Sequence, residues 1–279
     1  MYLTYYGFTE KPFQLKPDPS FFFPSRGHKR AAAYLEYGLS QEDGFIIITG
    51  EVGAGKTTLM RYLFQKLKQE QIVAAQLVNT RLDPDDALRM VVAAFGLSYE
   101  GLSKASLLLS LEGFLHECEQ KGARALLVID EAQNLQPQTL EELRMLSNFQ
   151  SDDRSLLQTF LLGQPEFRKT LLSNQLRQLR QRVIATYHLG PLDQAETRAY
   201  IEHRLQRAGW NGSPVLKDGI FELIHDFSSG IPRKINLFCD RLFILGCLEE
   251  LQSLGEAEAN EVMRDIRIEF DLTASPEDL

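Results

Sequence analysis

The sequence predicts an α/β fold: a parallel five-stranded sheet with helices on both faces, followed by a helical bundle. Three observations lead there. Up to residue 190, five short apolar runs alternate with helix-length stretches, and strands that are apolar throughout belong to sheets buried on both faces. After Pro191 the apolar runs stop, and four helical stretches follow, broken by glycines. Between the first apolar run and the helix that follows it stands Gly50-Glu51-Val52-Gly53-Ala54-Gly55-Lys56-Thr57, which fits the phosphate-loop spacing G-x-x-x-x-G-K-[ST] in its strand–loop–helix setting.

Taken in order, residues 1–26 read as an irregular aromatic segment, with Tyr5, Tyr6, Phe8, Phe13 and Phe21 to Phe23 punctuated by Pro12, Pro17, Pro19 and Pro24. Core packing on the nucleotide-binding domain is the favoured role for these rings, contact with an adenine the alternative. A helix over about 27–41 leads to strand one at 45–49, and a helix begins near Thr58. Strand two follows at Ile72–Val78. Asp83 before Pro84 marks a helix start that ends at Gly96, and Ser103 caps another helix closed by Gly122. Strand three is Ala125–Ile129, a helix runs from Pro137 to about Phe149, and strands four and five are Leu156–Leu162 and Val183–Leu189. The bundle is read as helices at 193–208, 214–227, 231–251 and 256–268, then an acidic flexible tail at 269–279. The implied domains are 27–190 (nucleotide-binding) and 191–268 (helical lid), hinged near Gly190-Pro191.

The residue types of the loop suit a nucleoside triphosphate. Gly50, Gly53 and Gly55 let the backbone turn and point N–H groups at phosphates, and the helix behind them adds partial positive charge. Lys56, at what reads as an exposed loop end, can reach the β- and γ-phosphates, and the Thr57 hydroxyl can ligate Mg²⁺. The run Leu126–Ile129 ends in Asp130-Glu131. Asp130 suits the Mg²⁺ side, and Glu131 can orient or deprotonate a water. Such a pair also resembles a helix cap, and gains weight from standing about 75 residues after a phosphate loop in an alternating α/β chain. Arg177, Arg180 and Arg182 precede strand five and Arg233 opens a bundle helix, but spacing alone favours solvated or carboxylate-paired roles for them.

The order of motifs resembles AAA+ ATPases. The wording Lys11-Pro12-Phe13, Tyr37-Gly38-Leu39, Thr49 to Thr58, Asp130-Glu131-Ala132-Gln133-Asn134-Leu135, Leu162-Gly163-Gln164-Pro165-Glu166-Phe167 and Gly230-Ile231-Pro232-Arg233 is similar to the ATPase domain of the general-secretion-pathway protein A (ExeA) family. Leu143 to Gln150 and Tyr200 to Leu205 resemble a narrower subfamily, the secretion ATPases found with exosortase (PEP-CTERM) and exopolysaccharide loci. The resemblance implies Gln164 as the polar sensor of the γ-phosphate and Arg233 as a lid arginine on nucleotide in cis. It implies Arg182, with Arg180 as rival, as a finger reaching a neighbouring subunit's ATP. A finger in trans implies a ring or filament, commonly a hexamer. It further implies ATP and Mg²⁺ as cofactors and envelope export or polysaccharide machinery as partner. The membrane span and cell-wall-binding domain of that family have no counterpart in these residues, which leaves coupling to peptidoglycan open.

Composition narrows the alternatives. Residues 249–279 hold ten acidic and two basic side chains, which accounts for the net charge of −8 and leaves residues 1–248 balanced. An overall basic nucleic-acid binder is therefore disfavoured, although the Asp-Glu-Ala-Gln wording also resembles TnsC-like transposition regulators. A slowly hydrolysing assembly scaffold is the third class. No apolar run approaches the roughly 18 residues of a membrane span, and the N-terminus lacks a secretory signal. A cytoplasmic location is expected, with peripheral attachment at the inner membrane as the variant. Three cysteines without metal-ligand spacing read as reduced thiols, and five scattered histidines give no zinc pattern.

Overall fold

Strands that are buried from end to end need cover on both faces, and two strands inside the sheet are of this kind. The structure, a computed structural model, describes residues 1–41, 44–67, 71–78, 83–151 and 154–273. Its five parallel strands are β1 (Phe45–Gly50), β2 (Ile72–Leu77), β3 (Arg124–Ile129), β4 (Leu157–Gly163) and β5 (Val183–Leu189), in the order β2-β3-β4-β1-β5. Every residue of β1 and β4 is buried. Ile47 pairs with Leu161 on one side and Thr186 on the other.

Contacts divide the chain into two units. The α/β unit comprises residues 28–51 and 56–190. On one face of its sheet Phe45, Ile47, Leu127 and Leu161 share a core with Val91, Leu107, Leu111 and Leu140 from flanking helices. On the other, helix Arg26–Gln41 approaches β1 so closely that a Cβ on Gly38 would lie 1.7 Å from Ile46 Cδ1. The buried Gln158 side chain seals that approach by donating to the Gly38 carbonyl at 2.7 Å.

The second unit is made of residues 1–27, 52–55 and 191–279. Its helices are Gln194–Arg207, Gly219–Ser228, Pro232–Leu248 and Glu256–Thr273, the first opened by an Asp193–Glu196 capping box. Its core takes in the N-terminal aromatics: Tyr2, Tyr6, Phe8, Phe13 and Phe21 cluster with Tyr200, Phe238, Phe243 and Val262. Arg204, 7% exposed, donates to the Pro12 carbonyl and to the Tyr200 hydroxyl, with its guanidinium 4.8 Å from the Phe21 ring centroid. The aromatic segment is therefore part of the helical core, not of the nucleotide-binding one that the sequence suggested.

Several boundaries differ from expectation. The bundle's second helix begins at Gly219, not 214, because Val215–Leu216 pairs in parallel with Ser253–Leu254. The helix from Pro137 stops at Leu146, where Ser147 Oγ returns to the Arg144 carbonyl at 2.7 Å. The last helix continues to Thr273, through the first part of the stretch expected to be a tail, and residues 274–279 of that tail lie outside the described residues. Residues 1–26 include a short helix, Tyr2–Tyr6. Turns of helix at Phe167–Leu171, Asn174–Leu176 and Arg177–Gln181 join β4 to β5, where the sequence shows no helical period.

Candidate active site

Parallel strands deliver their C-terminal ends to one edge of a sheet, and ligand-binding residues in open α/β sheets gather there. β1 ends at Gly50, β3 at Ile129 just before Asp130, and β4 at Gly163 just before Gln164. Gly50 itself is extended strand rather than a turning residue. What requires a glycine there is β5, since a Cβ would lie 2.7 Å from the Leu189 carbonyl oxygen. The turn falls to Gly53 and Gly55, at φ 83 and 99, a region open to glycine and costly for other residues.

Helix Lys56–Leu67 starts inside the loop, so its first residues point free N–H groups into the turn. Lys56 is buried, 6% exposed, rather than sitting at an exposed loop end. Its Nζ donates to the carbonyls of Gly50 at 2.7 Å and Glu51 at 3.1 Å. Burial lowers its proton affinity, and the carboxylates of Glu131, Asp130, Glu51 and Glu166 oppose that shift. Thr58 is half-buried on the same first turn.

Thr57 Oγ1 donates to Asp130 Oδ2 at 2.7 Å, and the Glu131 backbone N–H donates to Asp130 Oδ1 at 3.0 Å. A hydroxyl and a carboxylate in contact are a hard-oxygen set that fits Mg²⁺, an ion that keeps most of its shell as water and phosphate oxygen. Among the described residues no group of three or more His, Cys, Asp or Glu side chains is arranged to hold a metal alone. The loop's N–H groups and Lys56 fit a polyphosphate.

Glu131 stands in the left-handed region at φ 55, ψ 40, a costly place for a side chain other than glycine and a frequent mark of functional sites. Gln164 Nε2 donates to its Oε2 at 3.0 Å, and Gln133 Nε2 donates to the same oxygen. Burial pushes the Glu131 carboxyl up, but the Gln164 and Gln133 donors and the Lys56 charge outweigh it and hold it below its ordinary range. Gln133 also accepts the Gln164 backbone N–H at 2.9 Å. Sequence reasoning gave Gln133 no role. The left-handed turn that brings it back over Glu131 has no residue-type signature.

The arginines separate. Arg180 Nη1 donates to the carbonyls of Leu171 and Ser173, at 2.5 and 2.6 Å, closing the turns between β4 and β5. Arg182 ends helix Arg177–Gln181, and its Nη2 donates to Asn148 Oδ1 at 3.0 Å. In the helical unit, the Arg233 backbone N–H donates to the Gly53 carbonyl at 3.2 Å, and a Cβ on Gly53 would lie 2.3 Å from Arg233 Cβ.

Residues 39–171 match the AAA domain family. The chain is 41% identical over 245 residues to General secretion pathway protein A of Aeromonas hydrophila, covering 88% of this chain and 44% of that protein. It thus spans less than half of that relative's length. A shorter match, 35% identical over 91 residues, is to an ORC1-type DNA replication protein of Thermoplasma acidophilum, covering 32% of this chain and 25% of that one. Among solved structures, Aeropyrum pernix ORC2 in ADPNP–ADP complexes superposes with TM-score 0.69 at 18% identity, over 91% of this chain and 71% of its own. The RuvB Holliday junction branch migration motor of Thermotoga maritima superposes with TM-score 0.54 at 18% identity, over 91% and 72%. These likenesses give the fold. The chain has the P-loop AAA+ fold, and its residues 39–171 are similar to the AAA domain family.

Proposed function

We propose that this chain is a Mg²⁺-dependent ATPase that drives a step in envelope export, in a system of the exosortase or exopolysaccharide kind. One observation carries the ATPase reading. Lys56, the Thr57–Asp130 pair and the Glu131–Gln164 pair stand together on the C-terminal edge of one sheet. Mg²⁺, when bound, neutralises phosphate charge as it develops. Thr57 and Asp130 supply protein oxygens for it, while Lys56 and the loop N–H groups hold the β- and γ-phosphates. A carboxylate oxygen of Glu131 accepts the proton of a water that bonds to the γ-phosphorus as the bond to the β–γ bridging oxygen breaks, leaving ADP and phosphate. Gln164 orients that water and phosphate, Arg233 contacts nucleotide, and Arg182 serves a neighbouring subunit in a ring.

The export role is supported by the 41% identity to General secretion pathway protein A. The proposed location is the cytoplasm or the inner-membrane surface, and no described helix is long and apolar enough to cross a membrane. A DNA-linked role draws on the likeness to the Aeropyrum pernix ORC1 protein in complex with DNA, TM-score 0.67 at 17% identity, and is opposed by the net charge of −8. The deciding experiment measures phosphate release with and without duplex DNA, beside a mass determination with ATP. We expect Mg²⁺-dependent turnover unaffected by DNA, an oligomer in ATP, and loss of ATP-analogue binding in a folded Lys56→Ala variant. Strong stimulation by DNA would favour the second reading. ATP binding without turnover would make the protein a scaffold.

A further inference from the structure

Beyond β3 and β4 three side chains close a ring. Gln133 Nε2 and Gln164 Nε2 both donate to Glu131 Oε2, and Gln133 Oε1 accepts the Gln164 backbone N–H at 2.9 Å. The backbone donor fixes which end of the Gln133 amide is oxygen, so its nitrogen faces Glu131. Gln133 reaches back because Glu131 is held at φ 55 ahead of the short turn Ala132–Asn134, whose first residue is fully buried. One oxygen of a flexible carboxylate is thereby gripped by donors from two elements. One of them, Gln133, also grips the backbone of the other.

We propose that Gln133 is a positioning residue of this site: it sets the direction of the Glu131 carboxylate toward the attacking water and locks that direction to the main chain at Gln164. This rests on the ATPase reading above. A glutamate turns about three side-chain bonds, and a base acts only within hydrogen-bond reach of its proton. Without Gln133, Gln164 Nε2 remains as an amide donor, but its backbone has lost the tie that steadies it. Gln133 touches neither the loop nor Lys56, the groups that hold the β- and γ-phosphates, so turnover falls while affinity stays.

Two substitutions separate the halves of the ring. Gln133→Met keeps the volume and removes both bonds. Gln133→Glu keeps an oxygen for the Gln164 N–H and removes the amide donor to Glu131. At pH 8 we expect both to lower kcat about tenfold or more, with the KM for ATP and the Kd of a fluorescent ATP analogue within about twofold. In nucleotide-free protein, hydrogen exchange of the Gln164 amide should quicken in Gln133→Met and remain slow in Gln133→Glu. Wild-type kcat in Gln133→Glu, an equal rise in KM, or unchanged exchange in Gln133→Met would each overturn the proposal. A wild type with no turnover sinks the ATPase reading and this proposal together, whereas wild-type turnover that survives both substitutions sinks the proposal alone.

Discussion

At the scale of single residues, Glu131 carries most of the proposed chemistry. Glu131→Gln keeps size and loses basicity, so ATP should bind normally while turnover falls about a hundredfold or more. Near-normal turnover at saturating ATP would show that another group takes the proton. The same variant tests the electrostatics. The folded protein holds Glu131 below its ordinary 4.5, chiefly because its amide donors and Lys56 outweigh burial. Its stabilising contribution is therefore complete above about pH 4.5 and is lost as pH falls through the folded value. Urea unfolding at pH 7 and pH 4 should show the wild type's advantage over Glu131→Gln shrinking in acid, and an advantage that grows there would reverse the sign. Asp130 and Glu131 were legible because carboxylates ending an apolar strand are conspicuous. Gln133 was not, since its reach depends on a backbone state at Glu131 that residue type does not announce.

At the scale of elements, the five strands were readable because each is a short apolar run with polar or glycine flanks. Their spatial order was not, because β1 carries no mark of whether β4 or β2 lies beside it. The turns between β4 and β5 escaped for another reason. Helices of three to five residues are too short to show a period, and Arg180 holds them through carbonyl oxygens. Gly38 is the sharpest test of element packing. Gly38→Ala gains about 1 kcal/mol of helix propensity but drives a methyl into the 1%-exposed Ile46, and overpacking of this kind costs about 1–3 kcal/mol. We expect a net loss of about 1 kcal/mol in urea unfolding, part of it recovered when Ile46→Val removes the nearest atom. Strictly additive effects of the two substitutions would mean that helix Arg26–Gln41 does not press on β1 as described.

At the scale of the whole molecule, the proposed ring has a direct test. If Arg182 acts on a neighbour's ATP, Arg182→Ala should bind ATP without hydrolysing it, and an equal mixture with Lys56→Ala should regain turnover. Only mixed interfaces pair an intact loop with an intact Arg182. No recovery in a mixture shown to co-assemble would confine Arg182 to its own chain. Arg180→Ala is a stability probe rather than a neutral control, because it takes a donor from the Leu171 carbonyl and leaves the Ser173 carbonyl with the Leu176 N–H, and it should lower the melting temperature where Arg182→Ala does not. The helical unit also has a history written into its order along the chain. Its core joins Tyr2 and Phe13 to Phe243, and the Tyr2 hydroxyl donates to Asp240 across 238 positions. A ribosome adding roughly 5–20 residues per second takes on the order of 10–50 s to cover that gap. For that time the aromatic residues near the start emerge without the helices that will bury them. Their burial waits on the emergence of helix Pro232–Leu248.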